Sequence, residues 1–188
     1  MQHEPNPIPT RLRHAAAVTI ALLLAIGAAP VAHGDEQGPP EALNGRWRNT
    51  AADGGEQAIA RAVERGIDGL FALARPVARR RLTESNPPIR QLEIEVTSSR
   101  IHVDLGAGRE HVTPPNTWRP EDSPGGRIQV RQTITGSGTL KVESRADQGS
   151  ARHLFRLEGD DRLRHQVRIH AERLPHDVVY NLTYRRAG

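Results

Sequence analysis

The sequence predicts a mainly β protein with one helical segment, in which an antiparallel meander forms a closed or half-closed barrel packed on a kinked helix. Apolar and polar residues alternate along residues 163–186, which is typical of half-buried strands. Apolar residues recur at steps of three and four along residues 57–82, which is typical of an amphipathic helix. Short turns containing glycine separate the other alternating runs, as expected for a meander.

The first 34 residues carry the features of a secretory signal peptide. Two arginines precede an apolar run over residues 15–29, which is short for a membrane span. Small residues then precede Asp35, as at a cleavage site. The alternative is an uncleaved membrane anchor, and with either one we expect export to the periplasm or the medium. Residues 35–42 are predicted as a flexible lead-in.

Composition restricts the class of the exported part, residues 43–188, which has the length of a single domain. The formal net charge of the full chain is only +4, aromatic residues make up 3% of the chain, and Lys141 is the single lysine. A nucleic-acid partner is therefore not expected. Cysteine is absent, which excludes disulfides, thiolate zinc sites and a cysteine nucleophile. No cofactor is predicted.

The helical insertion is predicted over residues 56–84. Its apolar face consists of Ile59, Val63, Ile67, Leu70, Phe71 and Ala74. Gly66 and Gly69 weaken a helix by about 1 kcal/mol each, and Pro76 cannot continue one without a kink. The sequence therefore predicts either one kinked helix or two helices, the second beginning near Pro76.

Strands flank this insertion. A first strand is predicted around residues 45–47, and a hairpin over residues 92–105 follows the helical segment. Further alternating runs lie at residues 128–134, after residue 140, and at residues 151–157, ahead of the final hairpin. The stretch between residues 106 and 126 is rich in glycine and proline, with short strands near 110–113 and 117–119. The turns give seven to nine strands.

A glycine and a tryptophan in the first strand, Gly45 and Trp47, are followed near the end of the chain by Arg185 and Arg186. This arrangement resembles the calycin group, which includes the lipocalins and the fatty-acid-binding proteins. The resemblance implies that Gly45 and Trp47 open the barrel and that either arginine packs over the tryptophan to close it. The helical insertion after the first strand resembles the fatty-acid-binding branch, in which helices cap the barrel mouth, and this implies ligand binding.

Other polar residues offer weaker candidates for chemistry. His153 and His165 fall on apolar faces of neighbouring strands, where they act as a metal ligand pair, as a base, or as hydrogen-bonded lining residues. No spacing supports a metal site, so none is predicted. Carboxylates in the 92–105 hairpin alternate with apolar residues and belong to the wet face. Four arginines near Pro76 form a solvated helix end or contact anionic lipid: Arg75, Arg79, Arg80 and Arg81.

Two functional classes follow. In the first, the barrel binds a small apolar or lipid-like molecule, with a cavity lined by Val130, Phe155, Val167, Ile169, Tyr180 and Leu182. In the second, the helix fills the barrel, and the protein is a structural or interaction component of the cell envelope. No catalytic constellation is present, so an enzyme is not predicted. Membrane contact is expected to be peripheral at most, and the sequence does not specify an oligomeric state.

Overall fold

A computed structural model describes residues 40–123 and 126–188, so the predicted signal peptide and residues 35–39 lie outside the described residues. The described part opens on a short 3-10 helix, Pro40–Leu43. Residues 40–42, which were predicted as flexible lead-in, are thus in regular structure. Their position is fixed because the Arg186 guanidinium donates a hydrogen bond of 2.7 Å to the Ala42 carbonyl oxygen.

Two α-helices and ten strands follow. The helices are α1 (Glu56–Ile67) and α2 (Arg75–Ser85). The strands are β1 (Gly45–Asn49), β2 (Gln91–Val96), β3 (Ile101–Asp104), β4 (Glu110–Thr113), β5 (Arg119–Ser123), β6 (Gly126–Ile134), β7 (Leu140–Ala146), β8 (Gly149–Leu157), β9 (Arg162–Ala171) and β10 (Val178–Arg186).

All ten strands belong to one antiparallel sheet with the order β4-β3-β2-β1-β10-β9-β8-β7-β6-β5. Pairing of β1 with β10 joins the two ends of the meander, so that the sheet curls into a nearly closed barrel. The predicted fold class is confirmed. The strand count is ten rather than seven to nine, because both short strands of the proline-rich stretch form and pair with their neighbours.

Side chains bridge the opening between the two edge strands, β4 and β5. Gln132 of β6 donates hydrogen bonds from Nε2 to the carbonyl oxygens of Ile101 (2.9 Å) and His111 (3.1 Å). His111 Nδ1 also lies 2.6 Å from Glu121 Oε2. These contacts hold the edges together where ladder hydrogen bonds are missing.

Trp47 closes the base of the barrel. Its side chain is fully buried, and its indole Nε1 donates a hydrogen bond of 3.0 Å to the Leu43 carbonyl oxygen. The Arg186 guanidinium carbon lies 4.3 Å from the centre of the Trp47 ring, whereas Arg185 is exposed on the outer face. Gly45 has a φ of +128°, and a Cβ there would stand 2.9 Å from Arg186 Nη1, so both the backbone and the space favour glycine.

The helical segment consists of two helices rather than one continuous kinked helix. Ile59, Val63 and Ile67 are buried as predicted, but Phe71 is 86% exposed. The change occurs because α1 ends at Ile67, where Asp68 is extended and Gly69, with a φ of +91°, turns the chain away before Phe71 is reached. Proline then stands in the first turn of α2. Neither helix of the described residues is long and apolar enough to cross a membrane.

Helix α1 lies on the inner face of β10. A Cβ on Gly66 would stand 2.5 Å from Val178 Cγ2, and Gly55 is similarly close to the Leu182 side chain. Val178 and Leu182 are among the inward, buried residues of β10. The two glycines therefore let the helix approach the strand closely, and the buried face of α1 joins the same core as the inward residues of β10.

We expect Gly66→Ala to lower the free energy of unfolding by up to about 2 kcal/mol. Alanine favours a helix by about 1 kcal/mol over glycine, but overpacking against Val178 costs about 1–3 kcal/mol. Urea denaturation monitored by circular dichroism measures the difference. Gly136→Ala, where nothing lies within 4 Å, is the control and should be near neutral. A gain in stability for Gly66→Ala would contradict this packing of α1.

Candidate functional site

The six residues predicted to line a cavity all belong to strands that face the barrel interior. Val130, Phe155 and Val167 have no exposed surface, Tyr180 and Leu182 are 3–4% exposed, and Ile169 is partly buried against the core. Tyr180 pairs with Val167 across β9 and β10, so these two are brought together. Side chains that no water-sized probe can touch do not border open space. The barrel is therefore packed around Val130, Phe155 and Val167, and Tyr180 and Leu182 retain little exposed surface.

Beside this packed region, side chains of β8, β9 and β10 form a cluster of four rings in contact. His153 Nδ1 and His165 Nε2 are 2.9 Å apart, so one of the two rings donates a hydrogen bond to the other. Phe155 stacks on His165 with ring centres 4.2 Å apart, and Tyr184 lies against the same imidazole at 6.1 Å. The two histidines that the sequence placed on apolar faces thus form an internal pair.

Desolvation favours the neutral form of both histidines, of which His165 is fully buried and His153 partly buried. Desolvation, followed by the nearby charges of His111 and Arg109, lowers the pKa of His153 to about 3. Desolvation also holds the pKa of His165 well below its ordinary value. Among the described residues no group of three metal-ligating side chains is found. The histidine pair is held together by its hydrogen bond.

Arg109 brings a positive charge to this cluster from the turn that precedes β4. Its Nη2 is 3.4 Å from the Leu105 carbonyl oxygen and 3.5 Å from that of Pro87, and both are long hydrogen bonds. Burial lowers the pKa of the guanidinium, whereas Tyr180, Tyr184 and the nearby carboxylate of Asp104 oppose that shift. Within the described part of the chain it forms no ion pair with a carboxylate.

Several buried polar atoms at this interior have no hydrogen-bond partner among the described residues. They are Arg109 Nε, Thr113 Oγ1, Gln132 Oε1, His165 Nδ1 and the Tyr184 hydroxyl. Desolvation raises the pKa of Tyr180 to about 12 and raises that of Tyr184 further, although nearby Asn49 opposes the rise at Tyr184. Both phenols are therefore neutral hydrogen-bond donors. Buried polar groups are normally paired, so this group of atoms needs an explanation.

The other sequence candidates lie on the outside. Glu93 pairs with Arg46, and Glu95 pairs with Arg100, as expected for a wet face. In the helical region, Arg79 pairs with Glu64 in a two-pronged contact. These groups satisfy each other in water and do not converge on an enclosed site.

Arg109 was not identified from the sequence as a site residue. Tyr184 lies on the same inward face of β10 as Tyr180 and Leu182, as the alternation predicts. Arg109 follows a turn in which Gly106, Ala107 and Gly108 all have positive φ values. The sequence has no periodic pattern that indicates the direction of a side chain after such a turn.

Comparison with known proteins reveals similarity at the level of structure. No family model matches the chain, and no curated protein does. A secretory abundant heat soluble (SAHS) protein of Ramazzottius varieornatus matches with a TM-score of 0.52 and 14% identity, over 80% of this chain and 99% of that one. Fatty-acid-binding protein 1 of Echinococcus granulosus matches with a TM-score of 0.49 and 18% identity, over 79% and 99%.

A Schistosoma mansoni fatty-acid-binding protein, described in complex with arachidonic acid, matches with a TM-score of 0.47 and 9% identity, over 80% of this chain and all of that chain. None of these three proteins is described as an enzyme. The calycin-like fold predicted from the glycine, the tryptophan and the late arginine is confirmed.

Proposed function

We propose that this chain is an exported protein that binds a small amphipathic molecule with an acidic head group inside its barrel. The observation that carries the proposal is Arg109, a half-buried cation with no carboxylate partner in the described residues. A charge removed from water is costly unless it is paired. A ligand carboxylate at this point would supply the missing partner.

The neutral donors around Arg109 fit the same ligand. The phenols of Tyr180 and Tyr184 stay protonated and can donate to an anion. His165 Nδ1 has no hydrogen-bond partner among the described residues, because the contact with His153 uses Nε2. It can therefore donate to the ligand in the tautomer that carries the proton on Nδ1. Hydrogen bonds to a charged group contribute about 1.5–3 kcal/mol each, so this constellation favours an acid over an uncharged analogue.

The apolar part of the ligand would occupy the space that α1 fills in this structure. Ile59 and Val63 present an apolar helix face toward the inner surface of β10. Few polar contacts hold the helix in place, and Arg65 Nη2 to the Val179 carbonyl oxygen, at 3.3 Å, is an exposed one. On binding, the acyl or similar chain of the ligand would therefore replace the apolar face of α1 against the inner surface of β10. The proposal of export is based on the signal-peptide features of the first 34 residues.

A second candidate is a filled barrel that acts through its surface in the cell envelope. The observation that favours it is the complete burial of Val130, Phe155 and Val167, which leaves no open space beside them. The two candidates differ in one measurable respect, because only the first takes up an amphipathic molecule.

We expect the purified protein to bind dodecanoic acid and to bind dodecanol more weakly. Arg109→Gln should reduce the affinity for the acid about 10- to 100-fold while changing that for the alcohol little, because only the acid loses a charge-assisted hydrogen bond. Native mass spectrometry and displacement of a fluorescent fatty acid measure both affinities.

The matched control is Arg100→Gln, which removes an exposed arginine from the β2–β3 turn. Equal losses in the two variants would mean that Arg109 has no special role in binding. Failure of the unmodified protein to take up either compound would support the filled barrel.

A further inference from the structure

Three arginines stand side by side on the outer face of the barrel, on β1, β10 and β9. Arg48 is the register partner of Arg185, and Arg185 is the register partner of Arg162. All three side chains are exposed. Their neighbours Trp47, Tyr184 and Leu163 point inward and are fully buried, so the three guanidinium groups lie on the opposite side of the sheet from the interior site.

No carboxylate neutralises this arginine row (Arg48, Arg185 and Arg162) within the described residues. The adjacent acids are engaged elsewhere, since Glu93 pairs with Arg46 and Glu158 pairs with Arg164. The turn residues Asp160 and Asp161 form no ion pair with the row. Like charges directly opposite each other on neighbouring strands are destabilising, so the arrangement carries a cost that no internal contact offsets.

The arginine row lines a cleft of about 810 Å³. Arg186, Thr50 and Thr183 contribute to its walls, together with the last residues of the chain, and no aspartate or glutamate lines it. A cleft lined by charges of one sign concentrates its potential and attracts ions of the opposite sign.

We propose that this cleft binds a molecule that carries two or more linked phosphate groups. Adjacent strands lie about 5 Å apart, so the row presents three cationic groups at that repeat. Arginine guanidinium groups match phosphate oxygens with paired hydrogen bonds, and linked phosphates engage several arginines at once. A single phosphate meets fewer of them and binds more weakly. The site is independent of the proposed interior ligand.

The test is calorimetric titration of the full protein with inorganic tripolyphosphate and with orthophosphate at the same ionic strength. We expect tripolyphosphate to bind at least tenfold more tightly than orthophosphate, and Arg185→Gln to weaken it at least tenfold. Arg173→Gln is the matched control, because it removes the same charge from an exposed position in the β9–β10 turn. It should change the affinity less than twofold.

A second arm identifies the source of the phosphates. Sedimentation with cardiolipin–phosphatidylcholine vesicles tests a lipid head group that carries two linked phosphates, and tripolyphosphate tests a soluble molecule. Dependence of either arm on Arg185 but not on Arg173 supports the site and names its source. Equal losses for the two variants, or no binding in either arm, would overturn the proposal. Unchanged melting temperatures for both variants without ligand verify that folding is intact.

Discussion

Replacement of Trp47 by alanine is expected to lower the free energy of unfolding by about 3–5 kcal/mol. The side chain is fully buried at the base of the barrel, between the 3-10 helix and the guanidinium of Arg186. Its removal leaves a cavity and deprives the Leu43 carbonyl oxygen of its indole donor. The urea midpoint, with an unchanged slope, measures the loss.

The chain provides its own control in Trp118, the second of its two tryptophans. Trp118 is only partly buried, and the guanidinium carbons of Arg131 and Arg145 lie 4.6 Å and 4.2 Å from its ring centre. Trp118→Ala removes a surface stack, so we expect a loss of only about 1–2 kcal/mol. Comparable losses for the two variants would show that Trp47 does not close the barrel.

The sequence alone was sufficient for the fold class because most of the strands alternate with period two. In β10, Tyr180, Leu182 and Tyr184 are buried while Asn181 and Arg185 are exposed, as the alternation predicts. Such a pattern reports which face a side chain takes, and a sheet with one buried face leaves little freedom in register.

The interior site was less predictable because its members interrupt the apolar pattern. Gln132 occupies an inward position of β6 and is fully buried, yet a polar residue in an alternating run gives no sign of burial. Its amide bridges the opening between β4 and β5, a role that depends on three strands far apart in sequence. Arg109 reaches the site from a turn, where spacing carries no information about direction.

The helical segment was also only partly predictable from the sequence. Apolar spacing predicted one face from Ile59 to Ala74, but Phe71 is 86% exposed and Ala74 is exposed as well. Gly69 redirects the chain after Ile67, and α2 has no buried residue. The glycine was visible in the sequence as a weak point, while the direction that the chain takes after it depends on the tertiary packing of α1 on β10.

The histidine pair should make the protein lose stability on acidification. His153 and His165 both have folded-state pKa values below the ordinary 6.5, because burial disfavours the charged rings. Below pH 6.5 the unfolded chain therefore binds more protons than the folded protein, and protonation favours unfolding. The loss is absent above pH 6.5 and grows by about 1.4 kcal/mol per pH unit for each histidine, down to about pH 3 for His153.

At pH 4.5 His153 should therefore cost about 3 kcal/mol relative to neutral pH, and His165 acts in the same direction. A double variant, His153→Phe with His165→Phe, keeps aromatic rings in the cluster and removes both titrations. We expect its stability to fall less steeply than that of the unmodified protein between pH 6.5 and 4.5, as measured by urea midpoints. His176→Gln, at an exposed turn position, controls for the loss of a histidine outside the ring cluster. The carboxylates contribute equally in all three proteins, so they do not affect the comparison. Parallel pH profiles for the double variant and the unmodified protein would show that the pair is charged in the folded barrel. The assignment of neutral donors to the ligand site would then be wrong.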